Sequence, residues 1–85
     1  MDLNSTNIYD AKDINNYYVK ETIFEAVEAL EERGYNSINQ LVGYLISGDS
    51  GYISNYKDTR KKLSKIDRAD IIEVLLRYYL NKWDI

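Results

Sequence analysis

Apolar residues recur along most of this chain at the three- and four-residue spacing of helices, and no segment alternates as a strand would. The first predicted helix covers about residues 17–33, with Asn15 or Asn16 as its N-cap. Gly34 follows where a left-handed backbone often ends a helix, and Tyr35 takes the next position of a Schellman motif. The predicted buried face comprises Val19, Ile23, Ala26, Val27 and Leu30.

A second helix is predicted immediately afterwards. Asn36 is a suitable N-cap, and Ser37 with Gln40 has the spacing of a capping box, so the sequence offers two starts. The helix is predicted to end at residues 47–48. Gly43 lies inside it at a cost of about 1 kcal/mol relative to alanine, which predicts close packing against a neighbour. The apolar stripe of this helix comprises Ile38, Leu41, Val42, Leu45 and Ile46.

The remaining residues predict a short turn and two more helices. Asp49 can cap a turn through residues 52–53, and a third helix is predicted over about residues 56–65. A fourth helix is predicted from Arg68 to about Lys82, with Asp67 as its cap. The predicted fold is therefore all-α, a compact bundle of about four helices plus a short helical turn.

The first fifteen residues lack helical periodicity and are rich in Asp, Asn, Ser and Thr. Such a composition buries too little apolar surface to offset the entropy of ordering the chain. We therefore predict a flexible N-terminal tail over residues 1–15, anchored at most by Ile8 and Tyr9, and a helical domain over residues 16–85.

The fourth predicted helix has a wider apolar face than a small bundle can cover. Its polar positions form one narrow stripe, so the apolar sector spans about 240° at ~100° per residue, whereas a surface helix needs somewhat more than ~100°. A central place in the bundle is one explanation, and a second copy of the chain is the other. The second is favoured because an 85-residue chain has a thin core and its nine tyrosines are typical of interfaces. We predict a homodimer whose interface includes Ile72, Leu75, Leu76 and Tyr79.

Composition narrows the chemistry further. The chain contains no cysteine and no histidine, so Ser-His-Asp triads, Cys-His pairs and zinc sites of the usual kind are excluded. We predict no enzymatic activity, no metal and no cofactor. No run approaches the ~20 apolar residues of a membrane span, and the first residues lack the order of a signal peptide. These features predict a cytoplasmic protein without membrane insertion.

Charge is uneven along the chain. Residues 1–50 hold nine acids against three bases, whereas residues 51–85 hold eight bases against five acids. Four cations recur at the spacing of one helical face: Lys57, Lys61, Lys65 and Arg68. The simplest interpretation is a solvated face that offsets the acidic first helix. The other two are a surface for a phosphorylated tail or partner protein and a DNA-contacting helix. The overall charge of −3 argues against a nonspecific nucleic-acid binder.

Several segments resemble the IreB family of small bacterial regulatory phosphoproteins. Residues 34–49, Gly-Tyr-Asn-Ser-Ile-Asn-Gln-Leu-Val-Gly-Tyr-Leu-Ile-Ser-Gly-Asp, resemble the family's Gly-Tyr-Asn-Pro-Ile-Asn-Gln-Ile-Val-Gly-Tyr-Leu-Leu-Ser-Gly-Asp. Residues 67–73 are similar to its Glu-Arg-Asp-Glu-Ile-Ile-Glu run, and residues 77–80 to its Arg-Tyr-Tyr-Leu ending. Ser37 and Ser50 replace two family prolines, which predicts slightly looser helix starts in an unchanged fold.

The resemblance implies a non-enzymatic adaptor downstream of a transmembrane Ser/Thr kinase, linked to cell-envelope stress and antibiotic tolerance in Gram-positive-type bacteria. Thr6 matches the family's Thr-x-x-Phe tail, whose threonine is a kinase target, with Tyr9 as the aromatic residue. The family's second tail threonine falls on Leu3, and Ser5 is a substitute acceptor. The implied partners are a second copy, the kinase, its phosphatase and an unidentified downstream protein. The competing function is a small helical DNA-binding regulator.

Overall fold

The computed structural model describes residues 11–82 of the 85-residue chain, with side chains from residue 14 onward. This part folds into four α-helices: α1 (Ala11–Glu32), α2 (Ser37–Ser47), α3 (Thr59–Ser64) and α4 (Arg68–Leu80). Short 3₁₀ turns at Ser50–Tyr52 and Tyr56–Asp58 link α2 to α3. No strand occurs between residues 11 and 82, so the all-α prediction is confirmed.

The start of α1 differs from the prediction. The helix begins at Ala11 rather than at Tyr17, so Asn15 and Asn16 are helical residues and the predicted N-cap is wrong. Once the packed part of a helix has formed, each further residue gains a backbone hydrogen bond at little cost. An exposed extension of α1 therefore needs no apolar stripe of its own, and a search for periodicity misses it.

The predicted boundary of the tail moves accordingly. Residues 11–15 belong to α1, and the rest of the predicted tail lies outside the described residues, together with Ile8 and Tyr9. The Asn15 side-chain amide donates a hydrogen bond to an Asp70 carboxylate oxygen at 3.3 Å, which places the start of α1 beside the first turn of α4.

α1 is the central helix of the fold and contacts α2, α3 and α4. The predicted buried face of α1 is confirmed, since Val19, Ala26 and Leu30 are buried, with Ile23 and Val27 half-buried. The other elements complete the hydrophobic core with Leu41, Tyr44, Ile53, Leu63, Ile66, Ile71 and Val74.

The predicted Schellman motif forms at the end of α1. The Tyr35 N–H donates to the Leu30 carbonyl and the Gly34 N–H to the Glu31 carbonyl, each at 2.9 Å. Gly34 has a φ of +80°, a conformation that favours glycine because it has no Cβ. The motif turns the chain directly into α2, so the C-terminus of α1 and the N-terminus of α2 are adjacent.

Of the two starts that the sequence offered for α2, the structure forms the first. The Asn39 N–H donates to the Asn36 side-chain oxygen at 3.0 Å, as in an ordinary N-cap. Ser37 is buried and its hydroxyl donates to a Glu31 carboxylate oxygen at 2.9 Å. The Gln40 side-chain oxygen accepts from the Ser54 N–H instead of closing a capping box.

The apolar stripe of α2 is divided between the core and the surface. Leu41 and Tyr44 are buried and Leu45 is half-buried, whereas Ile38, Val42 and Ile46 are exposed. Tyr44, which the predicted stripe did not include, takes a core position. The predicted close packing at Gly43 is confirmed, since a Cβ added there would lie 2.6 Å from Cδ1 of Tyr52 in the first 3₁₀ turn.

The third helix is shorter than predicted. Residues 56–58 form a 3₁₀ turn in which Lys57 and Asp58 have φ angles of 55° and 61°, and α3 covers only six residues after it. The buried Thr59 holds the kink, because its hydroxyl donates to the Tyr56 carbonyl at 2.6 Å. The predicted cap of α4 is confirmed, as the Asp67 carboxylate accepts from the Ala69 N–H.

Candidate functional site

The outer face of α4 is an apolar surface that the described residues leave uncovered. Only Ile71 and Val74 of this helix are buried. The four residues predicted for a dimer interface are exposed by 42%, 41%, 53% and 86% of their surface: Ile72, Leu75, Leu76 and Tyr79. The described part of the chain therefore does not enclose α4, and the apolar outer face of this helix is accessible to a partner.

The same apolar surface continues from α4 onto α1. A cavity of about 220 Å³ lies between the two helices, with Phe24 and Val27 on one side and Leu75 and Tyr78 on the other. The Lys20 ammonium lies 5.5 Å from the centre of the Tyr78 ring, so the rim of the cavity is partly cationic. A partner seated on Leu75 would thus also meet Phe24, which is 55% exposed.

A second apolar surface lies on α2. Ile38, Val42 and Ile46 are spaced by four residues and share the outer side of this helix. Sequence reasoning identified the stripe but not its exposure.

The four predicted basic residues do not form one continuous helical face. The left-handed backbone at residues 57–58 separates Lys57 from α3, and Arg68 begins α4 after a further break. The spacing argument assumed one helix through residue 65 and is therefore wrong for Lys57 and Arg68. Lys61 and Lys65 lie one turn apart at the end of α3, and both are exposed.

Lys57 is already engaged with an acid of α1. Its ammonium lies 2.8 Å from a Glu32 carboxylate oxygen and 5.5 Å from the centre of the Tyr56 ring. The hydrogen bond and charge of Lys57 hold the pKa of Glu32 below its usual range, and Glu32 in turn raises the pKa of Lys57. The pair is exposed, so it fixes the position of Lys57 more than it stabilises the fold.

Other cations of this region are also held in place. Lys62 lies 3.7 Å from a Glu25 carboxylate oxygen, and Glu25, Glu28 and Glu32 line a cleft of about 460 Å³ with Lys57 and Lys62. The cleft is thus an array of opposite charges between α1 and the α3 region. Among residues 11–82, no group of three acidic side chains is placed to hold a metal ion.

Arg68 connects α4 to the end of α2. Its guanidinium donates to the Leu45 carbonyl at 3.0 Å and lies so near Gly48 that an added Cβ would be 2.9 Å from Cζ. Gly48 has a φ of +76° and ends α2. The contact satisfies a carbonyl that the helix itself leaves without a partner.

A model of the IreB regulatory phosphoprotein family matches residues 4–81. The chain belongs to the IreB family. The predicted resemblance is confirmed over nearly the whole sequence, and the family's description supports a regulatory phosphoprotein role. The match includes Ser5 and Thr6, which lie outside the residues that the structure describes.

The structure accommodates both serines that replace IreB prolines. Ser37 is the first residue of α2, where proline fits well, and its buried hydroxyl adds a bond to Glu31 that proline could not make. Ser50 is the first residue of the 3₁₀ turn capped by Asp49, whose carboxylate accepts from the Gly51 N–H at 2.8 Å. Within residues 11–82, none of the helices has the length and apolar character of a membrane span.

Proposed function

We propose that this IreB-family protein is a substrate of a membrane-anchored Ser/Thr kinase, which phosphorylates Thr6, with Ser5 as a secondary acceptor. In this proposal the protein is a non-enzymatic adaptor in the cytoplasm that transmits cell-envelope stress, and a phosphatase reverses the modification. The family match carries the proposal, because it extends from the helical body into the segment that contains both acceptors.

The exposed face of α4 supports the second part of the proposal, a homodimer. Specific interfaces usually bury about 800 Å² on each partner, with apolar and aromatic side chains at the centre. α4 offers such a centre in Leu75, Leu76 and Tyr79, and the adjoining α1 surface around Phe24 extends it. An identical chain supplies an equally apolar face, so a twofold pairing would cover both at once.

The DNA-binding alternative gains no support from this geometry. α3 has six residues, which is short for a helix that reads a groove, and the glutamates of α1 pair with Lys57 and Lys62. An electrophoretic shift at low salt would detect phosphate-backbone binding if it existed, because that binding strengthens steeply as salt falls.

The kinase step can be tested directly. The purified protein is incubated with ATP, Mg²⁺ and the catalytic domain of a membrane-anchored Ser/Thr kinase from the same organism, and the modified residue is located by mass spectrometry. We expect phosphate on Thr6 and its loss in Thr6→Ala, with Ser5→Ala retaining most of the incorporation. Modification confined to residues of the helical body, or none at all, would contradict the proposal.

A further inference from the structure

The cations of the α3–α4 region fall into two groups that differ in position and in partners. Lys57 and Lys62 pair with Glu32 and Glu25, which lie 21 and 14 residues beyond Ala11 on α1. At 1.5 Å per residue these pairs are about 21–32 Å from the start of the helix. They are both neutralised and distant from the point where residues 1–10 join α1.

Lys65 and Arg68 form the second group, in the segment that joins α3 to the first turn of α4. The hydrogen bond from Asn15 to Asp70 places the first turn of α4 about 6 Å along α1 from Ala11. Arg68 lies two residues before Asp70. Among the side chains described from residue 14 to residue 82, neither Lys65 nor Arg68 has an ion-pair partner. Both cations are exposed.

We propose that a phosphate on Thr6 docks on Lys65 and Arg68 of the same chain. This inference rests on the proposed phosphorylation of Thr6 and names its receptor. Four residues separate Thr6 from Ala11, and the five steps from one Cα to the next reach about 17 Å in an extended chain. That reach exceeds the ~6 Å along α1 to the level of the first turn of α4, which Arg68 begins, and falls short of the ~21–32 Å to the pairs at Glu25 and Glu32.

The two cations offer complementary contacts. A guanidinium has five N–H donors, and the Leu45 carbonyl engages one side of the Arg68 group, which leaves donors for a phosphate and fixes its orientation. Lys65 adds a compact charge without a preferred geometry. A phosphothreonine brings about −1.5 to −2 charges and three acceptor oxygens, so it matches this pair far better than an unmodified threonine does.

Two nearby acids oppose the binding of any anion at this receptor. Asp67 caps the Ala69 N–H, and Asp70 accepts from Asn15, so both carboxylates are held beside the receptor in defined positions. Their charge repels a weakly anionic segment, and the unmodified tail carries only its own aspartates. These acids repel a doubly charged phosphate more strongly than the unmodified tail, so the dependence on the modification comes from its charge and acceptor oxygens at Lys65 and Arg68.

Docking of the phosphate would also affect the C-terminal end of α2. Arg68 donates a hydrogen bond to the Leu45 carbonyl beside Gly48. A phosphate bound to Arg68 would therefore contact the same guanidinium that holds the end of α2. The modification state of the tail is thereby communicated to the helix that carries the exposed Ile46. This coupling gives the phosphate a structural consequence within the protein itself.

The absence of cysteine from the sequence allows a direct test on the full chain. A synthetic peptide of residues 1–10 with phosphothreonine at position 6 is ligated to residues 11–85 carrying cysteine at position 11, and desulfurisation then restores Ala11. Amide spectra of this protein are compared with those of an unphosphorylated product made in the same way. We expect the signals of residues 45–48 and 65–70 to shift, and those of residues 57–62 to stay in place.

Matched variants assign the shifts to the proposed receptor. Lys65→Gln and Arg68→Gln should each reduce the shifts and together abolish them, whereas Lys57→Gln, an equal change of charge, should leave them intact. Arg68→Lys is a milder change, which retains the positive charge and removes the paired N–H donors of the guanidinium. Raising the salt from about 0.1 M to about 1 M shortens the Debye length from about 10 Å to about 3 Å and should reverse the shifts.

The outcomes separate this inference from the proposed function. Unchanged amide signals at residues 65–70 in the phosphorylated protein, or shifts that survive the double variant, would overturn the receptor whichever kinase acts on the chain. Because the phosphate is introduced chemically, failure of the kinase assay would overturn the proposed function and leave the receptor testable. Shifts centred on Lys57 and Lys62 would assign the phosphate to the other group of cations and so also overturn the inference.

Discussion

The Glu32 carboxylate accepts a 2.8 Å hydrogen bond from the Lys57 ammonium, and this contact ties the last turn of α1 to a left-handed segment of backbone. Left-handed conformations at Lys57 and Asp58 are unfavourable for residues that carry a Cβ. The pair is half-exposed and screened by solvent, so its main effect is geometric. It holds Lys57 against α1 and away from the cations of α3.

This contact predicts a pH dependence with a defined sign. The pKa of Glu32 is lowered by Lys57, so the contribution of the pair to stability is complete above the unfolded value of about 4.3. It is lost as the pH falls through the lower pKa of the folded state. The pKa of Lys57 is raised, so at the alkaline end the contribution is lost as the pH rises through the folded value, above about 10.4.

A carboxyl carbon titration by NMR measures the effect. Lys57→Gln should move the pKa of Glu32 up toward the ordinary glutamate range, because both the hydrogen bond and the charge are removed. Lys61→Gln removes an equal charge from the same region and should leave that titration unchanged. Identical Glu32 curves in the wild type and Lys57→Gln would show that the contact does not form in solution.

Gly43 and Tyr52 predict a coupling between α2 and the first 3₁₀ turn. Alanine is normally favoured over glycine inside a helix by about 1 kcal/mol. At position 43, however, the added Cβ would lie 2.6 Å from the Tyr52 ring, which must move. We therefore expect Gly43→Ala to be neutral or destabilising in the wild type, and to stabilise the Tyr52→Ala variant by about 0.5–1 kcal/mol.

Urea denaturation of the four proteins in this double-mutant cycle gives the coupling free energy. A value of about 1 kcal/mol is expected, within the range of residues in direct contact. If Gly43→Ala stabilised both backgrounds equally, the close approach of the Tyr52 ring would be refuted. Tyr35→Ala provides a control, since it removes an exposed tyrosine that the added Cβ does not meet.

Local signals of the sequence predicted those parts of the fold where a few neighbouring residues decide the conformation. The Schellman bonds of Gly34 and Tyr35 are of this kind, and so are the caps at Asp49 and Asp67. In each case the backbone groups are satisfied within five residues along the chain, so no distant contact has to be known.

The parts that the sequence did not predict depend on distant contacts. The kink before α3 requires Glu32 to meet Lys57 across 25 positions of the chain and Thr59 to be buried. The first turn of α4 lies beside α1 through the bond between Asn15 and Asp70, which are 55 positions apart in the chain. The basic residues were singled out by type, and their grouping assumed a continuous helix that the kink at residues 57–58 interrupts.

The N-cap of α2 leads to a further prediction. The Asn36 side chain accepts from the Asn39 N–H at 3.0 Å, so Asn36→Ala should lower the free energy of unfolding by about 1 kcal/mol. Asn36→Asp should keep the stability, because aspartate caps equally well. Asn39→Ala serves as the control, since it leaves the backbone donor in place. The free energy of unfolding is measured by urea denaturation. An equal decrease in Asn36→Ala and Asn36→Asp would argue against the cap.

The outer face of α4 leads to the last prediction, which concerns assembly. Leu76 is 53% exposed at the middle of the predicted interface, and Ile46 on α2 is 80% exposed outside it. Burying a glutamate at position 76 would leave a charge without a partner between two apolar faces. We expect Leu76→Glu to weaken dimerisation at least ~30-fold, since central interface residues often contribute about 2 kcal/mol or more.

Sedimentation at several concentrations distinguishes the two surfaces. The wild type should sediment as a dimer at micromolar concentration, and Leu76→Glu as a monomer with an unchanged helical circular-dichroism spectrum. Ile46→Glu introduces the same charge on a similarly exposed helix position and should remain a dimer. If Ile46→Glu dissociated and Leu76→Glu did not, the chains would pair through α2 instead. A monomeric wild type would require another molecule to cover Leu75, Leu76 and Tyr79, because an apolar face of that width on a stable domain is rarely left in water.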